Sequence, residues 1–195
     1  MSRCICVFSS SSDAVEPGFF DLAFELGRAI GLLGDSIIFG GCNVGLMGAV
    51  ARGTHAGGGK VIGVLPEFIA SRGITYVECD EMVLTGDMRE RKAVMEARAD
   101  AFIALPGGFG TLEEMLEIIT LKQLQRHTKP VVFLNHAGFY DPLAALFEHM
   151  YEHHFAKPSY REMYRFAPDI ASALGYLDSY SAPVIESKWL KKGGS

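Results

Sequence analysis

The sequence lacks the features of a membrane, secreted or nucleic-acid-binding protein. No apolar run in its 195 residues reaches membrane-spanning length, and the apolar part of the first eight residues is too short for a signal peptide. Basic residues are not in excess, since the net charge is −5 at pH 7. Nucleic acid or an anionic membrane would require a basic surface. We therefore expect a cytoplasmic protein that binds a small molecule and neither nucleic acid nor membrane.

Cysteine and histidine are too few and too widely spaced for a typical metal site. The four cysteines form no C-x-x-C pair and no zinc-type pattern, so reduced thiols are expected. The six histidines include no H-E-x-x-H, and His149 and His153, one helical turn apart, have no evident third ligand. The sequence predicts neither a metal site nor a cofactor.

The common nucleotide-binding and nucleophile motifs are also missing. Gly40 and Gly45 have Walker A spacing, but Leu46 and Met47 stand where lysine and serine or threonine are required. There is no complete G-x-G-x-x-G and no G-x-S-x-G. The serine cluster at positions 9–12 is therefore more typical of a turn that contacts a ligand than of a nucleophile.

Short apolar segments alternate with amphipathic segments along most of the chain. This alternation predicts an α/β fold with a mostly parallel sheet and helices on both faces. With 49% hydrophobic residues, the length suits one domain over 1–195. An accessory segment from about residue 156 is expected to close over the sheet, and a solvated tail is expected from Lys191. The predicted strands are Cys4 to Phe8, Ser36 to Phe39, Val61 to Leu65, Tyr76 to Leu84, Ala101 to Leu105 and Val131 to Leu134, and the first predicted helix is Phe19 to Leu33.

Three of the predicted strands end in unusual loops. Ser9 to Ser12 follow the first strand, Gly40 to Gly48 follow the second, and Pro106 to Glu114 follow the strand that ends at Leu105. In an open parallel sheet these loops share the carboxyl edge, where ligands bind. The third loop is a glycine turn between a strand and a helix. Glycine allows close approach of the backbone and the helix N-terminus favours an anion, so phosphate is the expected ligand.

The charged residues beside this loop have two interpretations each. Arg91 and Lys92 lie in a helix that Asp87 can cap, so they are either part of a solvated helix start or ligands for phosphate. Thr111 and Glu114 fit a capping box, but a carboxylate at Glu114 also suits contact with a ribose or water. A carboxylate and an arginine beside a sugar phosphate suggest glycosidic bond cleavage through an oxocarbenium-like transition state. The predicted core face of this helix comprises Leu112, Met115, Leu116 and Ile119.

Three motifs together resemble the LONELY GUY (LOG) family of cytokinin riboside 5′-monophosphate phosphoribohydrolases, long mislabelled as lysine decarboxylases. They are Gly40-Gly41-x-x-Val44-Gly45-Leu46-Met47-Gly48, Met88-x-x-Arg91-Lys92 and Pro106-Gly107-Gly108-x-Gly110-Thr111-x-x-Glu114. The resemblance covers about residues 3–155. It implies a Rossmann-like fold, a homodimer with sites near the subunit contact, and hydrolysis of a nucleoside 5′-monophosphate to free base and ribose 5-phosphate.

The resemblance also implies site residues. Carried over by position, Arg91 and Glu114 form the catalytic pair. The predicted substrate-binding residues are Lys92, Gly107, Gly108, Phe109, Gly110, Thr111, Leu112, Glu113 and Thr120, with Ser10 and Gly45 from the other two loops.

The chain departs from the family pattern at positions that bear on the base. Ser9 to Ser12 replace the usual Cys-Gly-Ser-Ser, Arg89 replaces a common histidine, and Gly73 lies where plant members place a substrate-contacting glutamate. Two alternatives therefore stand beside cytokinin nucleotide hydrolysis: a general AMP nucleosidase and a non-catalytic nucleotide or cofactor carrier. Lysine decarboxylation is disfavoured, because no lysine is marked as a pyridoxal Schiff base.

Overall fold

A computed structural model describes residues 2–185, and its strands form one parallel sheet. The predicted tail from Lys191 lies outside the described residues. In chain order the strands are β1 (Cys4–Phe8), β2 (Ser36–Phe39), β3 (Val61–Pro66), β4 (Glu81–Thr85), β5 (Ala101–Ala104), β6 (Val131–Leu134) and β7 (Arg165–Ala167). Their order across the sheet is β4-β3-β2-β1-β5-β6-β7, and every neighbouring pair is parallel.

Helices cover both faces of this sheet and give the protein two apolar cores. The helices are α1 (Pro17–Leu32), α2 (Gly45–Ala56), α3 (Glu67–Ala70), α4 (Met88–Arg98), α5 (Phe109–Gln123), α6 (Asp141–Glu152) and α7 (Ile170–Asp178). Side chains alternate along β1, so Ile5 and Val7 enter the core with α1, α2 and α7. Cys6 and Phe8 enter the opposite core with α4, α5 and α6. The predicted α/β architecture with a parallel sheet and helices on both faces is confirmed.

Two strand predictions differ from the structure. The strand expected from Tyr76 begins only at Glu81, because Tyr76 and Thr75 pair instead with the loop after β2. The short strand β7 was not predicted, since three residues give no readable periodicity. It pairs with β6, so the segment after residue 156 extends the sheet and adds α7 to one face.

The strand order places a crevice beside β1. The chain runs outward from β1 to β4 and then crosses back to β5 on the other side of β1. The loops that follow β1 and β5 therefore leave the sheet in different directions, and the space between them is the usual ligand position in such sheets.

A buried lysine connects α5 to the C-terminal segment. Lys122 is 1% exposed, and its ammonium donates hydrogen bonds to the backbone carbonyls of Lys129 and Met163 and to the Tyr180 hydroxyl, at 2.8, 2.8 and 2.9 Å. Burial lowers the pKa of Lys122 to about 8. The folded protein thus holds a proton at this site less tightly than the unfolded chain does.

This lysine should make stability rise with pH. Between pH 8 and about 10.5, the Lys122 amine is protonated in the unfolded chain but largely neutral in the folded protein. The unfolding free energy should therefore increase by up to about 3 kcal/mol across that pH range. Urea denaturation at several pH values measures the unfolding free energy of the wild type and of Lys122→Met. Subtracting one pH profile from the other removes the opposing contribution of the buried tyrosines, which titrate in both proteins. Parallel pH profiles for the two proteins would contradict the prediction.

Candidate active site

The N-terminus of α5 opens into a cleft at the carboxyl edge of the sheet. Gly108 is the N-cap residue, and no side chain within residues 2–185 accepts a hydrogen bond from the first turn. Gly108 and the first three residues of α5 line the cleft, which has a volume of about 520 Å³. The free N–H groups and the positive end of the helix dipole make this wall suitable for an anion.

The predicted capping box at this helix is wrong. Because Gly108 is the N-cap, Thr111 already lies inside the helix and Glu114 lies in its second turn. The predicted core face is also displaced by about one residue, and Leu116 is exposed at 40%. The buried residues of α5 are Thr111, Glu114, Met115, Ile118 and Lys122. Glu114 is therefore directed into the protein, toward α4.

Glu114 forms a buried ion pair with Arg91 in the wall of the cleft. The Arg91 Nη1 atom donates to Glu114 Oε1 at 2.6 Å, and Arg91 Nε donates to the Val64 carbonyl at 3.2 Å. Arg91 is 7% exposed and Glu114 is 9% exposed. A Cβ atom at Gly40 would lie 2.3 Å from Arg91 Nη2, so the glycine there makes room for the guanidinium. The interpretation of Arg91 as a solvated residue is wrong.

The environment of Glu114 acts on its protonation in two directions. Burial raises the pKa of the Glu114 carboxyl, and this effect exceeds the opposing attraction of the Arg91 guanidinium. A carboxylate with a raised pKa is a better proton acceptor than a solvated one. It also stabilises a cation that develops beside it, because a buried charge is poorly screened by solvent.

The start of α4 fixes the position of Arg91. As predicted, Asp87 caps this helix, and its Oδ1 atom accepts from the amides of Arg89 and Glu90 at 2.8 and 2.9 Å. Glu90 Oε2 accepts from the Gly86 amide at 2.7 Å. Arg91 then lies on the inner side of the first helical turn.

The serine loop after β1 forms the third wall of the cleft. The Ser10 carbonyl accepts from the Leu46 amide at 2.9 Å, which fastens the loop to α2. The Gly45 amide at the start of α2 donates to Asp13 Oδ1 at 2.7 Å, so a carboxylate of the protein already occupies this helix N-terminus. The Ser9 hydroxyl is buried in the cleft wall without a hydrogen-bond partner in the described part of the chain. The start of α5 is therefore the better position for a ligand phosphate.

The structure brings together only part of the predicted site. The predicted residues that line the cleft are Arg91, Glu114, Ser10, Gly108, Phe109, Gly110 and Thr111. Those that do not line it are Lys92, Gly107, Leu112, Glu113, Thr120 and Gly45.

Physical reasons account for the residues outside the cleft. Lys92 pairs with Glu113 and Glu117 at 2.5 and 2.7 Å, beside a second cavity that shares Glu114 with the first. Thr120 donates to the Leu116 carbonyl and lies in a groove against α6. Neither Lys92 nor Thr120 lines the cleft, and their contact with substrate stays a prediction.

Residues around α3 form a wall that the motifs did not indicate. This wall is mostly apolar and contains a single arginine, Arg72. Its apolar members are Leu65, Phe68, Ile69 and Ile74, and Met47 and Met88 lie in the same cleft. A helix of four residues has no periodicity from which to predict it. The sequence signals were its position after a strand and the nearby Gly73, which lies where plant members of the resembled family place a substrate-contacting glutamate.

The two adjacent glycines of the loop should respond differently to substitution. A Cβ atom at Gly107 would lie 2.1 Å from Thr111 Oγ1, whereas one at Gly108 has no atom within 4 Å. We expect Gly107→Ala to destabilise the fold by about 1 to 3 kcal/mol through overpacking. Gly108→Ala should retain stability and weaken phosphate binding, because the methyl group enters the cleft. Thermal denaturation and KM values for both variants test this; equal stability losses would contradict it.

No helix within residues 2–185 combines the length and apolar composition that crossing a bilayer requires. Within the same residues, no cluster of three or more histidine, cysteine, aspartate or glutamate side chains could hold a metal ion.

Fold and cleft together define a Rossmann-like α/β protein with an anion-binding helix N-terminus beside a buried arginine–glutamate pair. Residues 47–177 match the family model described as "Possible lysine decarboxylase". The chain belongs to this family, which is the LOG family indicated by the three sequence motifs.

Curated relatives match over nearly the whole chain. Cytokinin riboside 5′-monophosphate phosphoribohydrolase LOG2 of Arabidopsis thaliana is 40% identical over 178 residues, covering 91% of this chain and 84% of LOG2. A protein of Oryza sativa subsp. japonica named as a probable enzyme of the same activity, LOGL2, is 41% identical over 191 residues, covering 96% and 78%.

Solved structures share the fold at lower identity. The molybdenum cofactor binding protein of Rippkaea orientalis superposes with a TM-score of 0.71 at 24% identity, covering 92% of this chain and 97% of that one. The molybdenum cofactor carrier protein of Chlamydomonas reinhardtii also has a TM-score of 0.71 at 24% identity, covering 91% and 97%. This likeness establishes a common architecture.

Proposed function

We propose that this chain hydrolyses the N-glycosidic bond of a nucleoside 5′-monophosphate, with a cytokinin riboside 5′-monophosphate as substrate and free base and ribose 5-phosphate as products. One observation carries the proposal: the buried Arg91–Glu114 pair lies in the same cleft as the open N-terminus of α5. The curated relatives are named for the same reaction.

The spacing along α5 suits a ribose between the two groups. Glu114 lies six residues after Gly108, which is about 9 Å along the helix axis. With the 5′-phosphate at the amides of the first turn, the sugar ring extends toward the Glu114 carboxylate. Phosphate binding therefore positions the glycosidic carbon beside the carboxylate, and positioning alone lowers the barrier substantially.

In the proposed mechanism, Glu114 acts on both the sugar and the water. Its carboxylate stabilises the positive charge that develops on the ribose as the C1′–N bond breaks, and it orients the water whose oxygen bonds to C1′. The carboxylate accepts the proton that this water loses, and the proton then passes to the nitrogen of the departing base, so the free base leaves neutral. Arg91 holds Glu114 in place and accommodates charge near the leaving base. The guanidinium is too basic to serve as the proton donor.

We further propose that residues 1–195 form one domain that works as a cytoplasmic homodimer. The continuous sheet that includes β7 supports the single domain. The outward face of α5 supports the dimer, since Leu116 is exposed beside the groove against α6 and Phe109 is 93% exposed at the cleft. Cys4, Cys6, Cys42 and Cys79 are all free thiols, as expected for a reducing compartment.

A chromatographic assay across several nucleoside monophosphates tests the proposed function. Isopentenyladenosine 5′-monophosphate should be cleaved faster than AMP, because the wall around α3 offers apolar side chains to a substituent on the base. Equal rates with both nucleotides would favour a general AMP nucleosidase. Tight nucleotide binding without formation of ribose 5-phosphate would favour a carrier and would overturn the proposal.

A further inference from the structure

The order of the strands indicates how a bound nucleotide would be oriented across the cleft. The anion-binding amides of α5 follow β5, whereas α3 follows β3, and β1 and β2 lie between them in the sheet. Three strand spacings separate the two ends, or about 14 Å. This is comparable to the extent of a nucleoside monophosphate from its phosphate to the far edge of its base. With the phosphate at α5 and the ribose at Glu114, the base lies at α3.

Among the residues that the structure describes, one charged side chain at the base end of the cleft has no counter-charge. The charged residues lining the cleft are Arg72, Arg91 and Glu114, and the last two are paired with each other. Arg72 is exposed at the cleft wall, and within residues 2–185 its guanidinium makes no hydrogen bond or ion pair. Its donors are therefore available to a ligand.

The backbone around Arg72 is held firmly. The Arg72 amide donates to the Ile69 carbonyl at 2.9 Å, and Gly73 with a φ of +72° ends the α3 turn. Two residues later the chain is fastened to the loop after β2, since the Asn43 amide donates to the Ile74 carbonyl at 2.7 Å. The long side chain thus starts from a fixed point beside Phe68 and Ile69.

We propose that Arg72 is a specificity-determining residue that recognises the base of the nucleotide. A guanidinium has five donors and no acceptor, so it pairs with ring nitrogens or an oxo group of the base, while Phe68 and Ile69 pack against an apolar substituent. This inference rests on the proposed function, because it takes the direction of the nucleotide from the phosphate site at α5.

A base-free ligand separates recognition of the base from recognition of the phosphate. Arg72→Ala should raise KM for isopentenyladenosine 5′-monophosphate about tenfold, the effect of losing one hydrogen bond to a charged group. Inhibition by ribose 5-phosphate should change by less than about twofold, because that ligand lacks the base. Arg72→Lys should give an intermediate KM. Arg126→Ala is the matched control, since Arg126 is an exposed arginine in the turn after α5, outside the residues that line the cleft.

Two results would overturn this role for Arg72. An equal weakening of nucleotide and ribose 5-phosphate binding would place Arg72 at the phosphate, and an unchanged nucleotide KM would remove it from the site. If the wild type releases no base, the proposed function fails separately. Calorimetric titration of the same variants with isopentenyladenosine 5′-monophosphate and ribose 5-phosphate then decides the role of Arg72, with the same two outcomes overturning it.

Discussion

Replacing Glu114 with glutamine is expected to lower the rate of base release by about 10²- to 10³-fold with the fold retained. Glutamine keeps the shape and the acceptor oxygen that receives the Arg91 hydrogen bond, but it cannot supply a negative charge to the ribose or accept a proton from water. Because Gly108 is the N-cap of α5, the loss cannot be attributed to a missing helix cap. The measurement is the turnover number under saturating nucleotide, with circular dichroism as the check on folding.

Glu117→Gln is the matched control for this variant. Glu117 lies one turn further along α5, faces Lys92 and is outside the residues that line the cleft. Its substitution should change turnover by no more than about twofold, because Glu117 lies outside the cleft and its ion pair with Lys92 is partly exposed. Full activity in a stably folded Glu114→Gln protein would disprove the catalytic role of the carboxylate.

Arg91→Met is expected to lower both stability and activity. Removing the guanidinium leaves the Glu114 carboxylate buried without a partner, which typically costs about 3 to 5 kcal/mol. The pKa of Glu114, already raised by burial, should rise further because the opposing attraction of Arg91 is lost. The carboxylate is the active form, so activity should fall away at a higher pH on the acid side than in the wild type.

A double-mutant cycle isolates the pair. Adding Glu114→Gln to Arg91→Met should recover part of the lost stability, because the uncompensated charge disappears. Arg98→Met is the control on the same helix: Arg98 pairs with Glu81, but both side chains are partly exposed, so a loss of about 1 kcal/mol or less is expected. Strictly additive stability losses at Arg91 and Glu114 would contradict the coupling.

Much of the fold could be predicted from apolar segments and the loops between them. β1, β2 and β6 have the predicted bounds, because each is an apolar run buried on both faces. The short strand β7 and the four-residue α3 could not be predicted, since neither is long enough to show a period. The strand expected from Tyr76 was placed too early because tertiary pairing of Thr75 and Tyr76 with the loop after β2 decides that segment.

From the sequence, the candidate site could be predicted only for residues that belong to a motif. The motifs singled out the glycine loop, Arg91 and Glu114, and the structure brings Gly108, Arg91 and Glu114 into one cleft. The roles of these residues toward a substrate stay predictions. The spacing of Thr111 and Glu114 led to a wrong prediction of the N-cap of α5, because the helix already begins at Phe109, two residues before Thr111. The wall that contains Arg72, Phe68 and Ile69 depends on how the strands are ordered across the sheet, which the sequence of one chain does not display.

Hydrolysis of a nucleoside monophosphate in the Arg91–Glu114 cleft can be tested with a single assay. Its most direct test is chromatographic measurement of both products from isopentenyladenosine 5′-monophosphate, with wild type and Glu114→Gln side by side. We predict equimolar isopentenyladenine and ribose 5-phosphate from the wild type, and at least about a hundredfold slower release of both from the variant. Recovery of intact nucleotide from the wild type, with no ribose 5-phosphate formed, would show that the cleft does not carry out this hydrolysis.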